Sequence, residues 1–191
     1  MTKLFFYYFP EPNFVGSFDI GEYVYFFFRE TAVEYINCGK AVYSRVARVC
    51  KKDTGGKNIL SQNWVTYLKA RLNCSISGEF PFYFNEIQSV YQIPSDKTKF
   101  YATFTTSTNG LVGSAVCSFD IGELHATFKG KFKEQASSNS AWLPVLNSKV
   151  PEPREFLYFY ESLRMEINFL FIPERSGHLC WGNCQFIGCR H

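Results

Sequence analysis

The run Glu22-Tyr23-Val24-Tyr25-Phe26-Phe27-Phe28-Arg29-Glu30 is the feature that most constrains how this chain folds. Aromatic and β-branched residues follow one another without a break, bounded by Gly21 and by Arg29-Glu30, which is the composition of a strand. A second stretch, Arg45-Val46-Ala47-Arg48-Val49-Cys50-Lys51-Lys52-Asp53, alternates apolar and basic residues and reads as a second strand, spanning Tyr43 to Lys51. Together they predict buried β-sheet and say nothing about chemistry.

The rest of the chain supports a folded domain. In 191 residues there is room for one domain with a substantial core. Aromatics make up 19% of the chain, 21 of them Phe, which excludes a disordered linker. The net charge of +3 is modest and the basic residues are spread among strand-like segments, so nucleic acid is not an expected partner. No signal peptide is read in Met1 to Phe9, because the apolar run is short and Pro10 ends it. The segment from Phe156 to Ile172 is interrupted by Glu161, Arg164 and Glu166, so no membrane insertion is expected of this chain. Taken literally, these readings keep the chain in the cytosol.

Further strands are expected at Pro81 to Ile93, Lys99 to Thr106 and Gly113 to Phe119, with Asn109-Gly110 as a turn. Trp64 to Cys74 fits either a strand or an amphipathic helix by periodicity. Ile121 to Phe128 predicts one short helix, since Leu124 and Phe128 fall on one face. Short strands with little helix indicate an all-β sandwich, barrel or propeller. The hexapeptide Ser17-Phe18-Asp19-Ile20-Gly21-Glu22 recurs as Ser118 to Glu123, at a spacing that suits two propeller blades or arises by coincidence.

Chemical signals are sparse. Gly55-Gly56-Lys57 lacks the earlier glycine and the following Ser/Thr of a phosphate-binding loop. His125 stands alone, a pattern that is usually structural. Glu30, Glu34 and Glu86 are scattered singly, and no catalytic site and no cofactor are expected. Seven cysteines point to an oxidising compartment or to a metal site. His178, Cys180, Cys184, Cys189 and His191 crowd the C-terminus, but without a C-x-x-C pair, so no metal site is assigned.

Three phrases in sequence, YFFFRE at Tyr25 to Glu30, RVARVCKKDTGG at Arg45 to Gly56, and Trp64 with Leu68 to Cys74, resemble the sema domain of semaphorins. The resemblance runs from Glu11 to Arg154. Residues 1–10 and 155–191 lie outside it, and the expectation is that both ends are non-family sequence from an incomplete gene model. The resemblance implies an all-β fold, part of a seven-bladed β-propeller amounting to about two to three blades. Lys51 to Asn58 and Phe104 to Gly110 look most like the secreted invertebrate class 2, with membrane-anchored class 1 as the near alternative.

The resemblance also implies site residues and partners. Cys74 and Cys117 sit where semaphorins carry a disulfide within the propeller. Cys50 resembles a family cysteine whose partner follows a Pro-Gly step, and this chain departs at Glu155-Phe156-Leu157, so Cys50 is expected to stay unpaired. Cys38 is extra: an odd cysteine is either an intermolecular bridge or a buried thiol, and the family's homodimers make it the candidate intersubunit cysteine. The implied function is an extracellular axon-guidance ligand that binds plexin receptors, without catalysis, and no motif assigns receptor-contacting residues. The rival readings are a truncated, non-signalling fragment and a cytosolic fragment that binds metal through its cysteine-rich tail.

Overall fold

In the computed structural model, the described residues are 11–55, 64, 66–107, 110–137, 140–150 and 170–171. Two β-sheets pack against each other. The larger is built on the strands β1 (Asn13–Ile20), β2 (Tyr23–Thr31), β3 (Val42–Cys50) and β4 (Leu68–Arg71), each antiparallel to the next. Short strands β5 (Ser75–Ile76) and β6 (Phe82–Tyr83) pair with each other. The second large sheet is β7 (Glu86–Ile93), β8 (Asp96–Thr105) and β9 (Ser114–Asp120), again antiparallel. A helix, α1 (Ile121–Thr127), comes next, then β10 (Phe132–Gln135), β11 (Trp142–Pro144) and β12 (Leu170–Phe171). These last three extend the first sheet in the order β1-β2-β3-β4-β12-β10-β11.

The opening hairpin is set by its turn. Ile20 pairs with Tyr23, leaving only Gly21 and Glu22 to reverse the chain. Gly21 has φ +58°, the left-handed region that a residue without Cβ enters at little cost. β1 then carries a bulge between Phe14 and Gly16, which brings its backbone down onto β7. A Cβ at Gly16 would stand 2.6 Å from Val90 Cγ1, so glycine is required there by contact with the other sheet.

The unbroken aromatic run of β2 is explained by cover on both faces. Successive side chains point to opposite sides of a strand. Phe27 faces β8, its ring centroid 5.4 Å from Phe100, and Phe18 of β1 completes a trio at 5.8 Å and 5.0 Å. Phe28 turns the other way, onto Phe14 at 5.3 Å, and Phe26 beside it stacks on Trp64 at 6.0 Å. Phe27 and Phe28 are both fully buried. A strand covered on both faces has no reason to alternate, whereas β8, with Phe100, Ala102 and Phe104 inside and Tyr101 outside, alternates cleanly.

The same six residues give two structures in this chain. Ser17 to Ile20 ends a strand and turns at Gly21, while Ser118 to Asp120 ends a strand and opens α1. The difference lies in the aspartate. Asp19 pairs with Val24 across the hairpin and its carboxylate meets Lys51, whereas Asp120 caps α1 by accepting from Gly122 N at 2.7 Å. Local sequence permits either ending, and the tertiary surroundings of each copy decide.

Several expectations need adjustment in detail. Of the two alternatives for Trp64 to Cys74 the strand holds, and among the described residues it is confined to Leu68–Arg71. Pro81 to Ile93 is two strands, β6 and β7. The break at Phe84-Asn85 leaves Phe84 N to donate to Cys74 O at 2.9 Å and Asn85 O to accept from the Ser44 hydroxyl at 2.7 Å. Between β2 and β3 the chain forms a 3-10 segment from Val33 to Cys38. Asn109 and most of the C-terminal stretch lie outside the described residues.

Candidate functional site

Four charged side chains from four neighbouring elements, β2, the 3-10 segment, β3 and β4, meet in the interior. Arg45 of β3 donates from Nε to Glu30 Oε1 at 2.9 Å and from Nη2 to Glu34 Oε2 at 2.8 Å. Lys69 of β4 donates to the same Glu30 oxygen at 2.7 Å. The side chains of Arg45 and Glu30 are fully buried, those of Glu34 and Lys69 nearly so. Two carboxylates balance two cations, which is the condition under which buried charge is tolerated. Burial disfavours the charged form of Arg45, but Glu34 and Glu30 outweigh it and hold its pKa above the usual value. For Lys69 burial wins and its pKa is lowered, the attraction of Glu30 offsetting only part of the loss.

In sequence Glu30 and Glu34 look isolated, and the cluster they join goes unseen. A signal did exist. An arginine within the apolar run of β3 needs a carboxylate on a flanking strand, and Glu30 closes the aromatic run next door. Arg71 carries the network outward: its guanidinium lies 3.6 Å from the Tyr43 ring centroid and 5.5 Å from that of Tyr83, and it donates to Asn85 Oδ1 at 3.0 Å.

A second polar contact ties α1 to the first sheet. His125 receives the Arg48 guanidinium at Nδ1, 3.1 Å away, and meets the Tyr25 hydroxyl through Nε2. Arg48 lies over the rings of Tyr23 at 4.5 Å and Phe128 at 4.8 Å. Burial lowers the pKa of His125, with Arg48 and Lys129 adding repulsion. Burial also raises Tyr25 to about 12.

The cysteines fall into two groups. Cys74 and Cys117 are joined by a disulfide, Cα to Cα 5.9 Å, which fastens the residue just before β5 to the middle of β9. Among the described residues, Cys38 and Cys50 are free, Cys38 exposed and Cys50 half-buried. The stretch from His178 to His191 lies outside the described residues, and among those described no group of His, Cys, Asp and Glu is arranged to hold a metal ion. Among them, too, no helix is long and apolar enough to cross a membrane. The most exposed large apolar side chains are Phe80, Val112 and Leu111, all outside the strands.

With two mainly antiparallel sheets packed together and a disulfide joining the short strands to the second sheet, the fold can be set beside known proteins. The model of the Sema domain matches residues 87–164. The chain carries part of a sema β-propeller and belongs to the semaphorins. Its sequence is 86% identical over 144 residues to Semaphorin-2A of Drosophila melanogaster, a match covering 75% of this chain and 20% of that protein. Its structure superposes on Drosophila Semaphorin 2a with a TM-score of 0.75 at 84% identity, covering 78% of this chain and 24% of the other. A semaphorin solved as Drosophila Plexin A in complex with Semaphorin 1b matches with a TM-score of 0.72 at 52% identity, over 77% of this chain and 29% of that one. The chain thus spans about a fifth of the length of the curated relatives it matches.

Proposed function

We propose that this chain is a segment of an extracellular guidance ligand that binds plexin receptors and signals repulsion to growing axons and migrating cells, without catalysis of its own. The observation that carries the reading is the likeness to a semaphorin solved in complex with Plexin A, at 52% identity. One feature of the fold favours an extracellular setting, the buried disulfide between Cys74 and Cys117, and the loops that join the strands offer the contact surface. On this reading the family region is 11–154, with the Sema match running on to residue 164; residues 1–10 and the remaining tail lie outside it, and Cys50 is the half-buried thiol whose family partner is missing. The parent protein acts as a homodimer, for which Cys38, exposed on the 3-10 segment, is the bridging cysteine.

The test is a cell-collapse assay. The chain, secreted behind an added signal peptide and presented as a dimer, is applied to cells with and without plexin. Collapse confined to plexin-bearing cells is expected. An equal response in both lines, or none in either although the chain is secreted with Cys74 and Cys117 oxidised, overturns the assignment of signalling to this segment. Non-reducing gels of the wild type against Cys38→Ser test the bridge, and identical migration sinks it.

A further inference from the structure

The contact among Tyr25, His125 and Arg48 has only one consistent proton arrangement. A guanidinium has donors and no acceptor, so His125 Nδ1, 3.1 Å from Arg48 Nη1, must present a lone pair. The ring proton therefore sits on Nε2 and is donated to the Tyr25 hydroxyl oxygen. This neutral tautomer is the one state of the imidazole that satisfies both neighbours. A second proton has to go to Nδ1, where it would point at Arg48, donor against donor and cation against cation.

The surroundings give that second proton no compensation. From β2 the ring meets Tyr23, at 5.5 Å between centroids, and Tyr25, at 5.8 Å. From β3 it meets Arg48, with Cys50 further along the same strand. From its own side the charge acting on it is Lys129. Among the described residues, the charges that bear on the ring, Arg48 and Lys129, are positive. The ring is also a polar tie between α1 and the first sheet, beside the contacts of α1 with β8 and β9 and the burial of Leu124 and Phe128 in the common core.

We propose that Tyr25, His125 and Arg48 form a pH-sensitive latch, closed at neutral pH with α1 held on β2 and β3, and opened when acidification protonates His125. The device suits a protein that passes from a neutral to an acidic compartment, since histidine is the side chain whose charge changes in that range. On opening, Arg48 keeps its place over Tyr23 of β2 and gives up Phe128, so the first sheet persists while α1 loosens.

Hydrogen–deuterium exchange of the full chain, corrected for intrinsic rates, at about pH 7.4 and about pH 5 tests this. Protection over residues 121–128 is expected to fall about tenfold on acidification, with β2 and β3 unchanged. His125→Asn keeps an acceptor oxygen for Arg48 and cannot titrate, so its helix should exchange alike at both pH values. Unchanged protection in the wild type overturns the latch. So does a fall of the same size in His125→Asn. If that variant does not fold, the ring-carbon NMR shift of His125 in the wild type decides, because titration without a parallel change in α1 amides also overturns it.

Discussion

Glu30→Gln is the substitution whose outcome the structure constrains most. The four-member cluster is neutral as built: Glu30 and Glu34 against Arg45 and Lys69, with Glu30 Oε1 shared by both cations. Converting Glu30 to an amide keeps its shape and leaves two buried cations facing one carboxylate. Removing one member of a buried charge set costs about 3–5 kcal/mol, a large part of the 5–15 kcal/mol that stabilises a typical domain. Lys69→Met errs the other way, leaving two carboxylates on Arg45, and costs about 3 kcal/mol, the lower figure because its side chain is 10% exposed. The double variant restores neutrality around Arg45 and Glu34. It should therefore lose less than the sum of the singles by about 1–3 kcal/mol. Urea unfolding of the full chain, followed by tryptophan fluorescence, measures all three. Losses that add to within about 0.5 kcal/mol would show that Glu30 and Lys69 do not act as one charge-balanced unit and would refute the reasoning.

Three further outcomes are expected from other parts of the fold. Replacing Cys74 and Cys117 together by Ala should cost about 4 kcal/mol, from the entropy of opening a closure of 43 residues, measured by thermal or urea unfolding against the oxidised wild type. Gly16→Ala should destabilise by about 2 kcal/mol, because its Cβ lands 2.6 Å from the stiff Val90 side chain, and Val90→Ala in the same chain should recover most of that loss. His125 has a lowered folded pKa, so its contribution is fully present above the unfolded value of about 6.5 and is lost as pH falls from there through the folded value. Melting temperature should drop across that window in the wild type and stay level in His125→Asn.

What the sequence made legible was the part governed by local rules. Tyr23 to Phe28 can only be buried strand, Gly21 can only mark a turn, and Leu124 with Phe128 can only pack if residues 121–128 coil into a helix. Less legible was everything that needs two distant segments. Glu30 and Arg45 are brought together by register across β2 and β3, and His125 reaches Tyr25 from the far end of the second sheet. The repeated hexapeptide shows the limit best, since the context of Asp19 and Asp120 turned one sequence into a hairpin and a helix start. The strand β1 was hidden because Gly16, demanded by contact with Val90, breaks its apolar alternation.

Binding of the oxidised, secreted chain to an immobilised plexin ectodomain, by surface plasmon resonance, tests the central claim most directly. Saturable binding is predicted, abolished when Cys74 and Cys117 are reduced and alkylated, and unaffected by Cys38→Ser at the level of a single subunit. Absence of saturable binding by a chain whose disulfide is intact and whose amides are protected would contradict the assignment of receptor recognition to this segment.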